Sequence, residues 1–166
     1  MLMTGRPGAQ ITLSAREVEQ WPHVPAAYGL ADMWVRGRPA FFHLPAVERS
    51  VAVGRHLTRL WLDLEGIGDE GARFSALLVV SELMTNVVVH TNSAGMTGRL
   101  RRTSDQMLVH ILDEGGVLPF RHPHRGGDPD DYGRGLALVA RSVKGLGTEL
   151  EVDGGRTVWA RIALTG

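Results

Sequence analysis

The chain has 166 residues, 43% hydrophobic and 22% charged, which suits one globular domain with an ordinary core and excludes wholesale disorder. Eighteen basic residues balance eighteen acidic ones, so nothing draws the molecule as a whole toward nucleic acid, and the lack of cysteine excludes disulfides, thiolate chemistry and Cys-ligated zinc. No secretory signal opens the chain and the apolar runs read as too short to span a bilayer, so a cytoplasmic protein with no membrane or direct nucleic-acid partner is expected.

Residues 1–38 are rich in Gly, Pro and turn formers yet contain Trp21, Tyr28 and Trp34, the composition of a partly ordered arm preceding a domain over 39–166. Within the arm, Ser14 and Glu17 have capping-box spacing and predict a short helix through Val18 to Trp21, ended by Pro22. A short apolar strand is expected over 40–44. It leads into a helix over 46–64 whose apolar positions Val47, Val51, Leu57, Leu60, Trp61 and Leu64 fall at three- and four-residue steps. After the connector 65–71, residues 72–90 form a second helix, apolar on nearly every side and so expected to be buried. A loop over 91–98 then precedes a hairpin of strands 99–103 and 107–112, turning around Ser104 and Asp105. A long aperiodic loop, 117–132, is followed by a helix over 136–143 that the glycines at 145 and 147 end, and by strands 149–152 and 157–163. Antiparallel strand pairs with helices gathered between them predict an α+β two-layer sandwich: a mixed, mostly antiparallel sheet with helices on one face.

Four polar residues interrupt the second helix between Ala76 and Val89: Ser81, Glu82, Thr85 and Asn86. Glu82 and Asn86, four apart, share a face with Leu78 and His90, and a narrow polar stripe on an apolar helix should line a crevice. A carboxylate and an amide oxygen both suit Mg²⁺. Asp113 leaves the apolar strand QMLVHILD, where it is either a turn cap or an acceptor for a base's amino group, and Gly115 and Gly116 after it permit close backbone approach. Gly133, Arg134 and Gly135 open the third helix, where exposed N–H groups can meet phosphate oxygens. His122 and His124 lie in the long loop without a third ligand nearby and read as solvated. Arg99, Arg101 and Arg102 read as a solvated strand face. The P-loop, zincin, nucleophile-elbow and Rossmann motifs are absent.

Taken together, SELMTN (81–86), DEGG (113–116), GRGL (133–136) and GRTVW (155–159) resemble the GHKL ATPase superfamily, and within it the bacterial anti-sigma factor serine kinases of the RsbW and SpoIIAB type. The resemblance runs from Phe41 to Leu164 and implies a Bergerat-type fold that binds ATP and Mg²⁺. It implies Asn86 as the metal ligand and Glu82 as general base. It further implies Asp113 on the adenine amino group with Thr157 assisting through water, and Gly115 admitting the base. Gly133, Arg134, Gly135 and Leu136 would then stand at the phosphates. The family's partners are a sigma factor and a STAS-domain antagonist whose serine accepts phosphate, and a homodimer is compatible with it. The chain departs from the family at Val117, where a second glycine is usual, and in carrying Asp128, Asp130 and Asp131 in the lid. A nucleotide-dependent switch that sequesters a partner without phosphoryl transfer is the competing expectation. A plain interaction module is a third, and a histidine-kinase catalytic domain is disfavoured because the chain has no room for a dimerisation domain.

Overall fold

The structure is a computed structural model and describes residues 10–23, 33–114 and 131–165. Ten elements follow in order: β1 (Gln10–Thr12), α1 (Ala15–Glu19), β2 (Ala40–Pro45), α2 (Glu48–Leu64), α3 (Glu70–His90), β3 (Gly95–Arg102), β4 (Gln106–Asp113), α4 (Asp131–Ser142), β5 (Gly145–Leu150) and β6 (Arg156–Ala163). The strands form one six-stranded sheet in the order β1-β2-β3-β4-β6-β5, parallel between β1 and β2 and antiparallel elsewhere. The mixed, mostly antiparallel sheet of an α+β sandwich is therefore the architecture found.

Alternation along each strand sets the two faces of the sheet. In β4, Met107, Val109, Ile111 and Asp113 are buried under the helices, while Gln106, Leu108, His110 and Leu112 turn outward and are half-buried. Cross-strand register carries the division across the sheet: Leu100, Val109 and Ala160 lie in one inner row, Arg99, His110 and Trp159 in one outer row.

On the inner face, α2 buries Val53, Leu57, Trp61 and Leu62, and α3 buries Ala76, Val79, Val80, Leu83 and Met84. The close approach of α2 and α3 depends on Gly54, since a Cβ there would fall on the Met84 sulfur. Asp69 caps α3 by accepting from Gly71 N–H at 2.9 Å and Ala72 N–H at 3.2 Å. By length and composition α3 could cross a bilayer, contrary to the reading of its apolar runs as too short; here half of it is buried inside the domain. Its outer side is open, with Phe74 and Val89 exposed, so the helix is buried along one face only. Trp61 is fully buried at the centre of the core, and Trp61→Ala should cost about 3–5 kcal/mol, the range for emptying a large aromatic site. Chemical denaturation followed by circular dichroism measures this, and a loss below about 1 kcal/mol would mean that the core closes around the gap.

The arm contributes more than the expected short helix. Ser14 does cap α1 in a full capping box, Ser14 N–H donating to Glu17 at 2.7 Å and Glu17 N–H to Ser14 Oγ at 3.2 Å. Arg49 of α2 fastens α1 by donating to the carbonyls of Val18 and Trp21, each at 3.1 Å. Gln10–Thr12 then adds a parallel strand to β2, which no periodicity over three residues could announce. Two other boundaries move for a tertiary reason. β3 starts at Gly95, inside the predicted loop, because pairing with Pro45 and Leu44 of β2 extends it. β5 starts at Gly145, read from the sequence as a helix stop, because the glycines sit under neighbouring side chains: a Cβ at Gly147 would strike the Trp159 indole and one at Gly145 the Arg161 guanidinium.

Candidate functional site

On the inner side of the sheet α3 packs against both β4 and α4. The second half of α3 supplies Glu82 and Asn86, β4 ends in Asp113, and α4 begins with the Gly-Arg-Gly run. Asp113 is 9% exposed and faces the helix layer, across from Met96 of β3 and Arg156 of β6.

Glu82 lies against the first turns of α4, so closely that a Cβ at Gly135 would fall on its carboxylate. Burial raises its carboxyl pKa above the ordinary 4.5. Asn86, one helical turn on, is 8% exposed, and its Nδ2 is buried without a hydrogen-bond partner among the described residues. A buried amide group left unsatisfied costs about 1–3 kcal/mol, so this is a position where a ligand oxygen is wanted. Rotating the amide exchanges Nδ2 for Oδ1 and turns the donor into a metal ligand. His90 closes the stripe, its imidazole pKa held below the ordinary 6.5 by burial. A hard-oxygen pair on one helix face, an unsatisfied amide and a glycine surface over the carboxylate fit a Mg²⁺-bound polyphosphate.

The helix α4 is described from Asp131 onward, so helical structure already includes the Gly-Arg-Gly run ahead of the predicted start at Leu136. Gly133 and Arg134 lie in the first described turn of α4, and Gly135 serves as the surface on which Glu82 rests. The side chains of Asp131, Arg134 and Leu136 fall outside the described residues, as do Gly115, Gly116, Val117, His122, His124, Asp128 and Asp130.

Thr157 lies on β6, the strand that pairs with β4. It pairs with Leu112, one residue before Asp113, so strand alternation turns it to the outer face, where its hydroxyl donates to Glu151 at 2.6 Å. The residue that shares a face with Asp113 is Arg156, which the sequence reading passed over. Its placement follows from the register that pairs QMLVHILD with RTVWARIA, which neither segment carries alone.

An open cleft of about 720 Å³ between α2 and α3 is lined by residues that include Arg49, Arg55, Thr85 and Val88. None of Glu82, Asn86 and Asp113 lines it.

A two-layer sandwich in which a polar helix face, a strand-end aspartate and the start of a third helix meet is the architecture of a GHKL-type ATPase domain. The profile of the histidine kinase-like ATPase domain matches residues 44–162, and the chain belongs to that family. Among solved structures, a chain of the SiaB-SiaC complex from Pseudomonas aeruginosa is similar in fold, with a TM-score of 0.50 at 18% identity over 74% of this chain and 88% of that one. No curated protein matches.

Proposed function

We propose that the protein is an ATP-binding regulator of the anti-sigma type that phosphorylates a serine or threonine of a STAS-domain partner in the cytoplasm and sequesters a sigma factor. One observation carries this reading: the Glu82 carboxylate rests on α4 at Gly135, one helical turn from the unsatisfied Asn86 amide. Base, metal ligand and phosphate-binding N–H groups thereby meet at one place. That a chain of similar fold comes from a complex of two proteins supports a protein partner.

In this reading Asp113 accepts a hydrogen bond from the adenine amino group, and Arg156 beside it replaces the expected Thr157 contact. The N–H groups of Gly133 and Arg134 hold phosphate oxygens, while Asn86 holds Mg²⁺. The metal, when bound, supplies neutralisation of charge developing on the phosphate oxygens. Glu82 takes the proton from the partner's hydroxyl as that oxygen attacks the γ-phosphorus and the bond to the departing diphosphate breaks.

Incubating the protein with Mg-ATP and a STAS-domain protein from the same host should yield one phosphorylated serine or threonine by mass spectrometry. Binding of the partner without phosphorylation would replace the kinase with a nucleotide-dependent switch. Asn86→Ala should melt within a few degrees of the native chain, because it removes a buried group without a partner. It should also weaken Mg²⁺-dependent ATP binding by about tenfold or more in isothermal titration. Unchanged affinity would make the polar stripe structural.

A further inference from the structure

We propose that the outer face of the sheet is a platform for single-stranded nucleic acid, separate from the nucleotide site on the inner face. All described helices that pack on the sheet's broad faces, α2, α3 and α4, lie on the inner side, and on the outer one Arg101 and Arg161 are exposed while Phe41, Arg99, His110 and Trp159 are half-buried. Register sets Phe41, Arg99, His110 and Trp159 in one row across β2, β3, β4 and β6, with Gly147 of β5 at its end. The adjoining row holds Arg101, Leu108 and Arg161.

Three features of these rows suit a stacked, anionic strand. The rings are paired with cations, the Arg99 guanidinium 5.7 Å from the centre of Phe41 and that of Arg161 5.5 Å from Trp159. The surface is smooth, because the Trp159 indole lies over Gly147 and the Arg161 guanidinium over Gly145, positions where any Cβ would collide. Hydrogen-bonding groups are unused: Arg99 Nε and His110 Nδ1 are both buried atoms without a partner. Burial and then Arg99 hold the His110 imidazole below its ordinary pKa, with Glu149 opposing and Arg101 adding to the depression, so at neutral pH it can donate to or accept from a base edge.

Charge selects the occupant. The outward positions of β1, β2, β3, β4 and β6 include Arg99, Arg101, Arg161, His43 and His110 and no acid; the negative groups on this side, Glu149 of β5 and Glu151 just after it, are confined to the β5 edge. A second copy docked face to face about a two-fold axis would set this basic face against another basic face. An acidic protein would need a pocket to receive an anchoring side chain, and flat rings over glycine offer none. Bases stacked on Phe41 and Trp159 with phosphates at the arginines use every feature. The overall neutrality of the chain conceals this local bias, and Arg102, grouped with Arg99 and Arg101 in the sequence, turns away to donate to the Glu65 carbonyl.

The test is fluorescence anisotropy of a short fluorescein-labelled oligo(U) RNA with the full chain in excess Mg-ATP. Saturable binding is expected, unaffected by ATP and weakened about 20-fold by an about fourfold rise in salt if three phosphates are engaged. Arg101→Glu and Arg161→Glu, both at exposed positions, should each weaken it about tenfold or more with the melting temperature unchanged. Trp159→Leu should weaken it by about 5- to 150-fold, and Trp159→Phe should restore it. No binding at low salt, or undiminished binding by Arg161→Glu, overturns the proposal. Displacement of the RNA by polyglutamate at equal charge would assign the face to an acidic protein instead. A dimer in sedimentation that Arg161→Glu alters would assign it to a second copy.

Discussion

Glu82→Gln is expected to bind Mg-ATP nearly as well as the native chain and to lose about 10²- to 10⁴-fold in phosphoryl transfer, the range that a positioned general base supplies. Only the ionised carboxylate can take a proton. Because burial raises the Glu82 pKa above the ordinary 4.5, the native rate should fall as pH drops through that raised value, at less acidic pH than an exposed glutamate would give. The residual rate of Glu82→Gln should show no such step. Stability has the opposite sign: the contribution is present while the carboxyl is protonated, below 4.5, and is lost as pH rises through the folded-state pKa. Glu82→Gln should therefore be more stable than the native chain at neutral pH and lose that advantage in acid. Single-turnover transfer against pH, with denaturation at two pH values, measures both. Full transfer activity in Glu82→Gln would leave the base unassigned.

Gly135→Ala should produce nearly the same loss of transfer from a residue with no functional group. The added methyl falls on the Glu82 carboxylate, the far end of a flexible side chain, which can swing away at small cost to the fold. Alanine is the better helix former by about 1 kcal/mol, so the melting temperature should hold or rise while the base is displaced. The double variant Glu82→Gln/Gly135→Ala should then be no slower than the slower single one, since both remove the same act. Additive losses would mean that Gly135 serves the phosphates and not Glu82.

Most of the layer architecture was legible in the chain because α2, the β3–β4 hairpin and β6 carry their periods in the residues themselves. Glu82 and Asn86 stood out for the same reason, as polar positions on a helix otherwise apolar on that face. What was hidden depends on contacts distant in sequence. Gln10–Thr12 is a strand only because β2 offers it hydrogen bonds. Gly145 and Gly147 punctuate nothing; they make room for Arg161 and Trp159. Thr157 and Arg156 take opposite faces of β6 through a register that neither strand reveals alone, and Gly135 lies against a carboxylate on another helix. The outer face is the clearest case, since Phe41, Arg99, His110 and Trp159 are spread over more than a hundred positions and meet only in the sheet.

The terminal place of β5 in the sheet bears on how the protein behaves in concentrated solution. An edge strand with open backbone groups can pair with another molecule, and the stretch leaving β5 exposes Leu150 at 78% and Val152 fully. Glu149, Glu151 and Asp153 alternate with them, so two such edges meeting would bring carboxylates together. Those acids act as gatekeepers against strand-to-strand aggregation and help to keep the molecule dispersed at high concentration.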